Sequence, residues 1–358
     1  MVETGRRYEL IRRAMAEHEL DAVVVAGSEY TGFEWAVRYL SGFLIVHRYA
    51  YVVLPLEGEP TIVFPAEARY VGEHGQTWID EQVFAEHPGE WLAARLAGKR
   101  VGVYGLDYVL AARDFAAMQH RVSLVPFDQE FDLARAIKSE AELESVRESV
   151  RINVDGFHAF REAYAPGRSA AEALAPAEEL FVERGCGRQT MNMVLVGPEF
   201  AIARDDLVLG DFCIPSLEIA GPGGHWVEIS RALGAPSTEV GRMLEAYEEY
   251  FEAAKSALRA GATAHDVHRA VSEGFTDRGY ALGHVTGHSI GMTMIEHPKI
   301  GDGVDTELRE NMVFSMHPHA IGADGRSCLY MQDTWLVGPA GGQPLAGLPM
   351  QIFGTVWE

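Results

Sequence analysis

A segment of this chain returns 94 residues later, and that duplication restricts the folds open to it. Gly167-Arg-Ser-Ala-Ala-Glu172, followed by Phe181-Val-Glu-Arg-Gly185, reappears as Gly261-Ala-Thr-Ala-His-Asp266, followed by Phe275-Thr-Asp-Arg-Gly279. Gly167 pairs with Gly261, Ser169 with Thr263, Glu172 with Asp266, Phe181 with Phe275, Arg184 with Arg278 and Gly185 with Gly279. Each copy reads as a helix stop, a capping box, a helix and a glycine C-cap. A strand-like run follows each copy, Thr190–Val196 and Leu282–Ile290. Two such copies fold as similar halves, and halves that face each other enclose a cleft.

The charged run Arg135-Ala-Ile-Lys-Ser-Glu-Ala-Glu-Leu-Glu144 marks the start of the duplicated part. Ser139 and Glu142 make a further capping box. Leu143, Val146, Val150, Val154, Phe157 and Phe160 then form one apolar helical stripe that stops near Pro166-Gly167. Upstream, Tyr8, Leu10, Ile11, Met15 and Leu20 mark the face of an opening helix. Strand patterns follow at Asp21–Ala26, Tyr49–Leu54, Pro60–Phe64 and Val101–Tyr104, with a turn at Glu57-Gly58-Glu59. The expected organisation is an α/β layer domain over residues 1–132 and a second domain over residues 138–358. A length of 358 residues suits two domains.

The net charge of −22 argues against a nucleic-acid backbone as partner. Cys186, Cys213 and Cys328 are odd in number and scattered, which fits reduced thiols rather than a disulfide framework. The opening Met1-Val2-Glu3-Thr4 lacks a secretory pattern, and no apolar run is long enough to span a bilayer. The expectation is a cytoplasmic chain with neither nucleic-acid nor membrane partners.

Three phrases carry a resemblance: Gly287-His288-Ser289-Ile290-Gly291, Asn311-Met-Val-Phe-Ser-Met-His-Pro318, and Gln332-Asp333-Thr334. They resemble the pita-bread family of methionine aminopeptidases, Xaa-Pro peptidases and creatinase. The resemblance implies an α/β (α+β) chain: an N-terminal creatinase-like α/β domain, then a duplicated pita-bread domain. In the family's peptidases two Asp, one His and two Glu hold two divalent metals. The matching positions here are Ser216, Glu228, His288, His317 and Gln332. Ser216 is five residues beyond Asp211, and Glu228 opens Glu-Ile-Ser-Arg231, a phrase closer to creatinase. The peptidases' second His is replaced by Ile295, with Glu296 and His297 beside it. The family also implies a homodimer.

Ser at one ligand position and Gln at another remove the anionic oxygens that two metals need. The reading that follows is a hydrolase cleaving an amidine or amide C–N bond of a small cationic or zwitterionic substrate, with no dimetal centre and no cofactor. His288, His317, Glu228 and Glu218 are the expected catalytic residues, Glu218 because alternation puts it on the face of Ser216. Ser216, Gln332 and His225 are the expected substrate contacts. The carboxylates are expected to raise the imidazole pKa values. A single softer metal on Glu228, His288 and His317 remains open, with Glu218, His225 or His319 as further ligands. One alternative is an Xaa-Pro dipeptidase or aminopeptidase with a rearranged metal site, acting on short peptides. Another is a non-catalytic binding module on the same fold.

Overall fold

The computed structural model describes residues 2–28, 34–45, 47–70, 77–187 and 190–354. The outer limits of the two expected domains, residues 1 and 358, lie outside the described residues. The chain divides into two compact units: one runs to Arg135 and includes Met292–Met294, and the other holds Ala136–Gly291 and the chain from Ile295.

The first unit contains α1 (Val2–Glu17), β1 (Ala22–Ser28), α2 (Glu34–Ser41), β2 (Tyr49–Pro55), β3 (Thr61–Pro65), β4 (Glu81–Ala85), α3 (Pro88–Arg95), β5 (Arg100–Tyr104), α4 (Ala112–Met118), β6 (Ser123–Pro126) and α5 (Asp128–Arg135). Its sheet has the order β4-β3-β2-β1-β5-β6. The central strand β1 is buried along its whole length, as its unbroken Ala-Val-Val-Val-Ala run requires. The sequence pattern marks β1, β2, β3 and β5 but not β4 and β6. Those two are the sheet edges, short and partly polar, where alternation is weakest.

The second unit opens with α6 (Glu140–Ala163) and α7 (Ala170–Glu183). It continues through β7 (Met193–Val196), β8 (Glu199–Ile202), β9 (Phe212–Cys213), β10 (Pro215–Ala220), β11 (Trp226–Ser230) and β12 (Leu233–Gly234). The second copy begins with α8 (Thr238–Ala257) and α9 (Ala264–Thr276). After it come β13 (Ala281–Leu282), β14 (Gly287–Ser289), β15 (Glu296–Ile300), β16 (Val313–Met316), β17 (His319–Ile321), β18 (Cys328–Tyr330), β19 (Asp333–Val337) and β20 (Gly342–Pro344). The duplication is visible in detail. Ser169 and Thr263 cap α7 and α9 with complete capping boxes to Glu172 and Asp266. Gly167 and Gly261 have φ of 87° and 85°, and Gly185 and Gly279 have 74° and 79°. The sheets also repeat: β8-β7-β10-β11 has the same order as β15-β14-β16-β19.

Helix α6 fixes the hairpin that carries half of the site. Its stripe residues Leu143, Val146, Val150, Phe157 and Phe160 are buried. Asn153 Nδ2 donates to the carbonyls of Leu217 and Val227, one on each strand of the β10–β11 hairpin. The hairpin turn lies so close to α6 that a Cβ on Gly221 would stand 2.8 Å from the Ser149 Cβ, and one on Gly223 2.9 Å from the Ser145 Cβ. Among the described residues, no helix is long and apolar enough to cross a membrane.

Candidate metal centre

Strand alternation decides which side chains meet. In the β10–β11 ladder Ser216 pairs with Ser230 and Glu218 with Glu228, so these four share one face. The intervening Leu217, Ile219, Val227 and Ile229 are all buried on the opposite side. In the second sheet His288 pairs with Ser315, and Ser315 with Thr334, so these three share a face. His317 and Gln332 lie two residues beyond Ser315 and Thr334 and continue that face. Backbone hydrogen bonds between Ser230 and Gln332, in both directions at 3.1 Å, join the two sheets. Thr334 Oγ1 accepts from the Glu228 amide at 3.0 Å.

Ser216, Glu218, Glu228, His288, His317 and Gln332 are thereby brought together, all at least nine-tenths buried. His225 is not among them. It lies at an odd position of the hairpin, on the helix side, where Nδ1 is 2.9 Å from Ser145 Oγ of α6. The expected substrate contact at His225 therefore gives way to a helix contact. His319 is buried too, with its ring 5.7 Å from Phe200 and 5.4 Å from His284, and does not join the ligand group. At the place of the peptidases' second His, Ile295 is half exposed. Its neighbour Glu296 forms a buried ion pair with Lys138 at 3.1 Å. Sequence reading missed Ser315, whose hydroxyl donates to Glu228 Oε2. Its signal was its position two residues before His317.

The two oxygens of Glu228 have different surroundings. Oε2 accepts from Ser315 Oγ and Gln332 Nε2. Oε1 accepts no hydrogen bond among the described residues and lies 3.7 Å from His288 Nε2. His288 Nδ1–H donates to the Ser289 carbonyl at 3.0 Å, which leaves the Nε2 lone pair facing Glu228. Two acceptors thus face each other across a gap too long for a hydrogen bond. His317 adds a third donor atom, and the ligand atoms of Glu228, His288 and His317 lie within 4.8 Å of one another. His317 Nδ1 is buried with no hydrogen-bond partner. This set fits one divalent cation: two neutral imidazoles, one carboxylate oxygen, and hydrogen bonds that orient the carboxylate from behind.

The charge states agree with that fit. Burial pushes His288 down from 6.5 to about 4. Burial, then the neighbouring His288 and His284, drives His317 well below the usual imidazole range. The expected rise in imidazole pKa is overturned, because desolvation outweighs attraction to the carboxylates. Burial raises Glu228 to about 7 against the hydrogen bonds from Ser315 and Gln332. Burial and then Glu228 raise Glu218 well above the carboxylate range. Like groups directly opposite on a ladder repel, which a bound cation would relieve.

A model of metallopeptidase family M24 matches residues 144–339, and a creatinase/prolidase N-terminal domain model matches residues 7–137. A probable dipeptidase PepE of Mycobacterium bovis is 26% identical over 97% of this chain and 96% of its own length. An Xaa-Pro dipeptidase of Pyrococcus horikoshii is 22% identical over 85% of this chain and 86% of its own. In fold, the dipeptidase PepE of Mycobacterium ulcerans superposes with a TM-score of 0.80 at 23% identity, covering 99% of this chain and 98% of its own. The prolidase of Pyrococcus horikoshii superposes with a TM-score of 0.81 at 21% identity, covering 96% and 98%.

Proposed function

Because the chain belongs to metallopeptidase family M24 and is by family a hydrolase of C–N bonds, we propose that it hydrolyses the peptide bond of dipeptides, Xaa-Pro among them, at a rearranged metal site. The single observation that carries this reading is the convergence of Glu228 Oε1, His288 Nε2 and the His317 ring, whose ligand atoms all lie within 4.8 Å of one another. The near full-length similarity to a probable dipeptidase supports the substrate class. The metal-free, creatinase-like reading of the sequence finds no support in these comparisons, which favour the peptidase alternative.

A divalent cation held by Glu228, His288 and His317 would polarise the scissile carbonyl and acidify water. The chain's own groups supply the rest. Ser315 and Gln332 hold the Glu228 carboxylate in place from Oε2. Ser216 Oγ, 3.0 Å from Glu218 Oε1, positions the second carboxyl. Glu218, whose pKa is held above the usual carboxylate range by burial and then by Glu228, takes a proton from the attacking water as the C–O bond forms and gives it to the departing amine nitrogen as the C–N bond breaks. The carboxylate is thereby restored for the next turnover. Burial of all these side chains excludes bulk water from the reacting atoms.

The test is turnover of alanyl-proline and alanyl-leucine by the full chain, with and without a chelator. Chelation should abolish hydrolysis, and returning the cation should restore it. Undiminished turnover of a guanidino or amidine compound in chelator, with no dipeptide cleaved, would refute the peptidase reading.

A further inference from the structure

We infer that this cleft holds one divalent cation rather than a pair, and that Gln332 and Ser216 fill the second place as hydrogen-bond donors. The inference rests on the metal-site reading above and goes beyond it in number and kind. A bridging pair needs carboxylate oxygens aimed at two cations. Here Glu228 Oε2, the oxygen turned away from the imidazoles, already accepts from the Gln332 amide and the Ser315 hydroxyl. Gln332 Nε2 also lies 3.4 Å from Ser315 Oγ. Ser216 Oγ stands between Glu218 Oε1 at 3.0 Å and Gln332 Oε1 at 3.2 Å. N–H and O–H groups therefore occupy the space where a second cation would have to sit. Moving them aside would leave Gln332 as a neutral ligand, and only Glu218 and Glu228 as charge against two divalent ions.

The remaining place is also of a different kind. Two imidazoles and one carboxylate form a set suited to zinc-like cations, whereas all-oxygen sets suit magnesium, calcium and manganese. Tetrahedral coordination at bond lengths of about 2.0–2.1 Å puts ligand atoms roughly 3.3 Å apart. The 3.7 Å separation of Glu228 Oε1 and His288 Nε2 is close to that. His317 offers its ligand atom within 4.8 Å of both others.

The experiment is metal analysis of the full chain after exhaustive chelation, dialysis against excess zinc, and removal of unbound ion. One zinc per chain is expected, and Gln332→Glu should raise the count to two, because it replaces the blocking amide with a third carboxylate beside Glu218 and Glu228. Ser216→Asp serves as the second variant should Gln332→Glu fail to fold, with the same expected rise. His317→Glu should retain one cation and narrow the preference for zinc over manganese. Two zinc ions in the wild type, or none, would overturn the inference. Alanyl-proline turnover in the same samples keeps the two readings apart. One zinc without turnover upholds the single-cation inference and defeats the dipeptidase proposal. Two zinc ions with turnover do the reverse.

Discussion

In the first half of the duplicated unit, the β10–β11 hairpin carries Ser216, Glu218 and Glu228. In the second half, β14, β16 and the approach to β19 carry His288, Ser315, His317 and Gln332. The two halves share capping boxes, glycine stops and sheet order. They differ in which groups point into the cleft. One half offers acids, and the other offers imidazoles and an amide. The lesson is that the repeated elements specify the scaffold, whereas the chemistry comes from a few strand positions whose parity faces inward.

The largest expected effect tests whether the imidazole half is indispensable. His288→Ala should lower dipeptide turnover by about 10²–10⁴-fold and release the cation, while the metal-free protein stays folded. Steady-state kinetics and metal content on one preparation check this. Near wild-type kcat with the metal retained would make His288 a packing residue and remove the division of labour.

The next effect sets the halves against each other through pH. In metal-free protein Glu228 rises from 4.5 to about 7, so its contribution to stability is full below pH 4.5 and is lost as pH rises through about 7. His288 falls from 6.5 to about 4, so its contribution is full above pH 6.5 and is lost as pH falls through about 4. Urea midpoints of the wild type should therefore decline on both sides. Glu228→Gln should flatten the alkaline decline, and His288→Ala the acid one. Parallel midpoint curves for wild type and Glu228→Gln across that upper window would show that the acid half does not titrate in this way.

Much of this comparison could be read in the sequence, because caps and glycine stops are local signals. Ser169 with Glu172 and Thr263 with Asp266 announce themselves within four residues. Of the six converging side chains, Ser216, Glu228, His288, His317 and Gln332 are legible through phrases that a family resemblance aligns, and Glu218 through strand alternation from Ser216. Other features depend on tertiary context. The parity of His225 is hidden by the Gly221-Pro-Gly-Gly224 turn, across which counting from Ser216 loses the face. Burial set the direction of the imidazole shifts, and no local pattern reports the burial of His317. Ser315 looks like any polar strand residue until Glu228 is placed opposite its hydroxyl.

The smallest expected effect tests the shared scaffold itself. Ser169→Ala and Thr263→Ala should each cost about 1 kcal/mol of unfolding free energy, since each removes one cap of equivalent geometry. Denaturant unfolding of both variants checks this. Costs differing by more than about 1 kcal/mol would show that the two copies are alike in outline but not in energetic role.

The close seating of the hairpin turn on α6 has a consequence for mutational tolerance. Gly221 and Gly223 carry no side chain because Ser149 and Ser145 already occupy that space. A scan of all substitutions should find these two turn positions nearly closed to change, although turns usually tolerate variety. Gly185 and Gly279, by contrast, have open space around them. At those two positions only the left-handed backbone restricts replacement, and asparagine should be admitted. The molecule would then show two distinct kinds of glycine dependence, one set by a neighbouring helix and the other by a backbone angle.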